Sequence, residues 1–240
     1  MSSSSDPELK KRARAIAKRL QTTLPTPVVE LDFDDPWQLL MATIMAAQST
    51  DKTVNKVGQV LFAQFSTPAA LAGADPEVIE TIIHPTGFFR NKTKSIQAAS
   101  RAIVEQHNGQ VPKTMAELVK LPGVARKTAN VVLGKAFGIA EGIVVDVHCT
   151  RVSQRLQFTQ EKDAKKIERA LIPLFPQKDW IGIGNRLVLH GRYVCLAKKP
   201  NCPQCPISEL CPSAYAPPEG AWKDRAKREQ RLVMSRGEDA

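Results

Sequence analysis

No stretch of this 240-residue chain alternates apolar and polar side chains for long enough to make a half-buried strand. Val144-Val145 is β-branched but too short to build a sheet, so the chain is read as all-α. No apolar run approaches the roughly 20 residues that a membrane-crossing helix needs. The opening Met1-Ser2-Ser3-Ser4-Ser5-Asp6 lacks the apolar segment of a secretory signal, and the expected compartment is the cytoplasm. Acidic residues are in deficit, 24 against 34 Lys and Arg, for a net charge of +10. That excess calls for an anionic partner: nucleic acid first, an acidic membrane surface second. There are five cysteines. In a cytosolic chain they argue for a metal or for catalysis rather than for a disulfide framework. No internal repeat is convincing.

Helical spacing of apolar residues predicts helices over residues 7–20, 37–47, 52–65, 68–71, 75–84, 91–106 and 114–120. Further helices are expected from residue 126 and over 147–156, 163–174 and 180–194. Residues 21–36, with Pro25, Pro27 and a run of Asp, read as a linker. From about residue 213 the chain is expected to be a mobile basic tail, with a frayed helix near 224–232.

The organising stretch is Leu121-Pro122-Gly123-Val124-Ala125-Arg126-Lys127-Thr128-Ala129-Asn130. Pro122-Gly123 stops the first helix, because Pro removes a donor and Gly accepts a positive φ. Ala129, Val132, Leu133 and Ala136 give the second helix an apolar face, and Lys127 lies roughly opposite it. So short a turn leaves backbone N–H groups at a helix N-terminus, an anion site suited to phosphate. Leu121, Gly123 and Ala125 are therefore candidate DNA contacts, although Leu-Pro-Gly also ends ordinary helices. Lys127 reads either as a solvated helix lysine or as a nucleophile able to form a Schiff base.

Asp146 follows an apolar run and precedes a helix. It is an N-cap by residue type, and an ionised carboxylate there could also stabilise positive charge or accept protons. His148, two residues on, reads as a structural donor and is counted among the candidate DNA contacts. Cys195, Cys202, Cys205 and Cys211 are spaced Cys-x6-Cys-x2-Cys-x5-Cys, so four thiolates can close on one centre. Zinc and a [4Fe–4S] cluster both accept four cysteines; a single Cys-x2-Cys knuckle tilts the choice towards iron–sulfur. Cys149 stands apart as a buried apolar thiol. Pro85-Thr86-Gly87-Phe88-Phe89-Arg90 is a turn with two adjacent rings, one of which should pack inward.

Together these stretches carry a resemblance. The hairpin through Asn130, Val145-Asp146-Val147-His148-Cys149-Thr150-Arg151-Val152, and Leu189-His190-Gly191-Arg192-Tyr193-Val194-Cys195 continuing to Cys211 resemble the endonuclease III family of DNA glycosylases. Ala46-Ala47-Gln48-Ser49-Thr50-Asp51 is a weaker match. The likeness spans roughly residues 36–212. Ala125 departs from it, standing where the family usually has a second hairpin glycine.

The resemblance implies two helical domains with DNA in the cleft between them. One is a six-helix barrel over residues 30–138; the other joins 1–29 to 139–212 and holds a [4Fe–4S] cluster on Cys195, Cys202, Cys205 and Cys211. It implies a bifunctional glycosylase and abasic-site lyase acting on oxidised pyrimidines in duplex DNA, as a monomer. Lys127 would be the nucleophile and Asp146 its assistant, and the cluster would shape a basic loop that includes Lys198 and Lys199. Gln48 would fill the space left by a flipped base, and Phe88 has a ring that could wedge into the stack. Two other readings compete. An adenine-glycosylase relative shares hairpin and cluster but lacks the lysine, and a DNA-binding module would use Lys127 for phosphate alone.

Overall fold

The computed structural model describes residues 6–24 and 30–215. The tail with its expected helix near 224–232 lies outside the described residues from 216 onward. Among the described residues there is no strand, and no helix is long and apolar enough to cross a membrane.

The chain divides into two compact units. The first comprises Val29–Glu141, where the resemblance put its boundaries at 30 and 138. It holds α2 (Pro36–Met45), α3 (Asp51–Gln64), α4 (Pro68–Ala72), α5 (Pro76–Ile83), α6 (Phe89–His107), α7 (Met115–Leu118) and α8 (Arg126–Phe137). Among these, α4 and α7 are only five and four residues long. Asp35, Thr50, Thr67, Asp75 and Thr114 each cap a helix, accepting from an amide two or three residues on. α2 supplies the centre of the core: Leu39, Leu40, Met41 and Met45 are wholly buried. Trp37 packs edge-on to Phe62 with its indole N–H on Ser100 Oγ at 3.0 Å.

The second unit joins Met1–Val28 to Gly142–Ala240. It contains α1 (Pro7–Thr23), α9 (Val147–Arg155), α10 (Ala164–Leu171) and α11 (Trp180–Tyr193). Leu9, Ala13, Ile16 and Leu20 of α1 share a core with Cys149, Val152, Ile167, Leu171, Ile183 and Leu187. α11 lies so close to α9 that a Cβ at Gly191 would stand 2.9 Å from His148 Cβ.

Three expectations need correction. The helix expected over 37–47 stops at Met45, and Gln48 belongs to the turn before α3 rather than closing α2. The helix expected over 163–174 ends at Leu171 and tightens to a 3-10 turn at Ile172–Leu174, where Pro173 has no N–H to continue the ladder. The 21–36 linker is shorter at both ends, since α1 runs to Thr23 and α2 starts at Pro36.

Candidate functional site

α7 and α8 flank the hairpin. Leu121 and Val124 turn inward and are buried, and the Val124 amide donates to the Leu121 carbonyl at 3.1 Å. Gly123 has φ +77°, and a Cβ there would lie 2.7 Å from Ser95 Cβ. Both facts require glycine. Ala125, the N-cap of α8, has φ −89° and extended backbone, so the methyl group is carried without strain.

The Leu121 amide is already used by the Leu118 carbonyl. Its side chain is in the core, so Leu121 anchors the hairpin from inside. Among the described residues, no backbone acceptor pairs with the amides of Gly123 or Ala125. Two donors beside the N-terminus of a twelve-residue helix form an anion-seeking turn. Lys127, in the first turn of α8, is exposed, as the helical wheel requires.

Asp146 caps α9 in extended conformation, and its Oδ1 accepts from the Cys149 amide at 2.8 Å. It is half-buried. His148 Nδ1 lies 3.2 Å from Arg151 Nη2. Cys149 is fully buried within the helical core, as its apolar reading requires.

The four remaining cysteines line one cavity, together with Val152, His190 and Ile207. Burial, together with the other three cysteines, pushes the Cys205 thiol up to about 11, and the Cys211 thiol is also raised by burial. Neighbouring hydrogen-bond donors reach this sulfur wall: Arg155 Nη1 lies 3.1 Å from Cys195 Sγ, and the Tyr215 amide 3.5 Å from Cys202 Sγ. His190 Nε2 lies 3.6 Å from Cys205 Sγ. No three His, Cys, Asp or Glu side chains among the described residues form a group tight enough for a single ion. Lys198 and Lys199 are exposed on the same loop.

The turn before α6 separates its two rings. Phe89 packs towards the core against His84, ring centroids 4.5 Å apart, while Phe88 is 66% exposed. Phe88 has φ +49° and Gln48 φ +55°, a conformation unusual for either residue type. Both side chains are thus presented outward from left-handed turns.

Residues 41–177 match the family model of the HhH-GPD superfamily base excision DNA repair proteins. The chain is 52% identical to endonuclease III of Synechocystis sp. over 86% of its own length and 94% of the relative's. The chain belongs to the endonuclease III family. Endonuclease III of Escherichia coli is 42% identical over 82% of this chain and 92% of its own.

Two solved structures extend the likeness to the fold. A trapped endonuclease III–DNA covalent intermediate, an estranged-adenine complex, superposes with TM-score 0.81 at 38% identity, covering 85% of this chain and 96% of that one. A non-covalent endonuclease III–DNA complex also gives 0.81, at 36% identity over 91% and 98%.

Sequence reasoning missed Arg151 and Arg155. Arg151 is 1% exposed and donates to the carbonyls of Cys195 and Gly191 at 3.1 and 2.6 Å. Arg155 donates to those of Leu196 and Ala197, both at 2.7 Å. Their i, i+4 spacing on the helix that Asp146 opens was the available signal.

Proposed function

We infer that this chain is a base excision repair enzyme that removes oxidised pyrimidines from duplex DNA and then cuts the abasic strand as a lyase, working as a monomer at the nucleoid. The observation that carries the reading is Lys127: an exposed amine on the first turn of a helix, beside a hairpin whose amides seek an anion, in a member of the endonuclease III family.

The chemistry runs through that amine. The Gly123 and Ala125 amides hold a backbone phosphate, which sets the register of the DNA but reads no sequence. The damaged nucleotide leaves the stack, with Gln48 filling its place and Phe88 entering beside it; Lys198, Lys199 and His148 add contacts to the strand. The Lys127 amine attacks C1′ of the sugar as the C1′–N bond to the base breaks, and Asp146 stabilises the positive charge that develops. Asp146 assists loss of the amine proton; the C1′–O4′ bond then breaks, O4′ takes a proton, and an imine is left at C1′. The imine acidifies the C2′ proton; its removal expels the 3′ phosphate by β-elimination, and water then frees Lys127.

Cys195, Cys202, Cys205 and Cys211 would hold a [4Fe–4S] cluster. A four-sulfur donor set suits either metal centre, and the single Cys-x2-Cys knuckle in this spacing favours the cluster over zinc. Such a cluster supplies a rigid cross-link for the loop that carries Lys198 and Lys199.

The test is single-turnover reaction with duplex DNA carrying one oxidised pyrimidine, set against the same duplex undamaged. Release of the damaged base with a strand break at its position supports the reading. Equal treatment of both duplexes contradicts it.

A further inference from the structure

Lys92 is the one lysine among the described residues that is buried, at 5% exposure. It sits in the first turn of α6, and burial pulls its ammonium down to about 8. A desolvated ammonium is expensive, and an apolar side chain of similar length would fill the space more cheaply. Here the charge is directed at a single carbonyl: Nζ donates to Thr86 O at 2.8 Å. The backbone amide of the same lysine donates to the Phe88 carbonyl at 3.1 Å. Lys92 therefore grips the chain on both sides of Gly87.

What it grips is a strained display. Gly87 and Phe88 have consecutive positive φ values, +68° and +49°. Phe88 holds a large apolar ring in solvent while its neighbour Phe89 packs inward. Left to itself, such a turn would relax its backbone and lay the ring on the surface. Thr86 is fixed from below as well, its hydroxyl donating to the Ile83 carbonyl at 2.8 Å. The Gly87 amide donates to the His84 carbonyl at 3.1 Å, and the ammonium bond adds a hold on the Thr86 carbonyl beside it.

We propose that Lys92 is a positioning residue for base extrusion, holding residues 86–88 so that Phe88 stands ready to enter the DNA stack. This rests on the reading of Phe88 as the wedge. Lys92 acts through Phe88 alone and has no part in the chemistry at C1′. Its loss therefore slows the step that takes the base out of the duplex and spares the cutting of a site that has no base.

The experiment compares the wild-type holoenzyme with Lys92→Met, Phe88→Ala and the double variant. Single-turnover base release from a duplex with an oxidised pyrimidine is measured beside cleavage of a preformed abasic site. Lys92→Met should slow base release on the order of tenfold and leave abasic cleavage within about twofold. Its thermal midpoint should fall only slightly, because relief of the buried charge offsets the lost bond to the Thr86 carbonyl. In the Phe88→Ala background Lys92→Met should add nothing. If Lys92→Met is insoluble, Lys92→Gln removes the charge and shortens the reach, with the same ranking expected.

Wild-type base release by Lys92→Met beside a slow Phe88→Ala overturns the brace and leaves the wedge standing. Wild-type release by Phe88→Ala overturns the wedge, and the brace with it. Equal slowing on both substrates, or full additivity in the double variant, shows that Lys92 only supports the fold and overturns the proposal.

Discussion

Arg155 Nη1 lies 3.1 Å from the Sγ of Cys195, across 40 residues of sequence. One turn earlier on α9, Arg151 holds the carbonyls of Gly191 and Cys195. The helix that Asp146 caps is thus bonded along one face to the start of the cysteine loop. The far side of that loop is held by α1: Arg12 Nη1 lies 3.4 Å from the Leu210 carbonyl, and Arg19 pairs with Glu209 at 2.8 Å. The Arg19 pair is solvent-exposed and adds little, whereas the α9 arginines are buried and matter more.

Arg155→Met should therefore lower both the iron content per chain and the thermal midpoint. Two carbonyls and the Cys195 sulfur lose a charged donor, a loss of about 3 kcal/mol. Iron and sulfide analysis with a thermal melt checks this; unchanged values in both would show that the guanidinium is not holding the loop.

Asp146→Asn separates cap from catalysis. Asn caps nearly as well as Asp, so the melting temperature should stay close to wild type while base release is largely lost. Asp146→Ala should lose base release and about 1 kcal/mol of stability besides. An Asn variant that keeps its activity would reduce Asp146 to a cap.

Gly123→Ala should lower stability by more than about 1 kcal/mol, since an L residue at positive φ is strained and its Cβ would meet Ser95 at 2.7 Å. Duplex affinity should fall for all sequences alike. Ala125→Gly should bind DNA as well as wild type or slightly better, with a small loss of stability at most. Normal DNA affinity in a folded Gly123→Ala would move the phosphate site elsewhere.

Gln48→Ala should slow release of an oxidised pyrimidine from duplex DNA far more than it slows cleavage at a preformed abasic site. An abasic site has already lost its base, so less distortion remains to be stabilised; flipping an intact base costs about a few kcal/mol. Equal slowing on both substrates would exclude Gln48 as the plug.

The helices, the hairpin and the Asp146 cap were legible because their signals are local. Pro122-Gly123 forces a stop, Asp before a helical run makes a cap, and buried positions recur at helical spacing. The four-cysteine loop was legible from spacing alone. The end of α2 was not: Ala46 and Ala47 favour helix, yet the chain leaves it for a left-handed Gln48 and a fresh cap at Thr50. Arg151, Arg155 and Lys92 escaped for a different reason. Charged side chains read as solvated unless their acceptors are known, and the acceptors of the two arginines lie some 40 residues away. Lys92 finds its acceptor only six residues back, but as a carbonyl, which sequence does not mark.

Borohydride trapping on abasic duplex DNA tests Lys127 as the nucleophile most directly. Only an imine between protein and sugar can be reduced to a stable covalent adduct. Wild-type protein should give that adduct, and Lys127→Ala should give none while still binding the duplex. An undiminished adduct from Lys127→Ala would contradict the assignment.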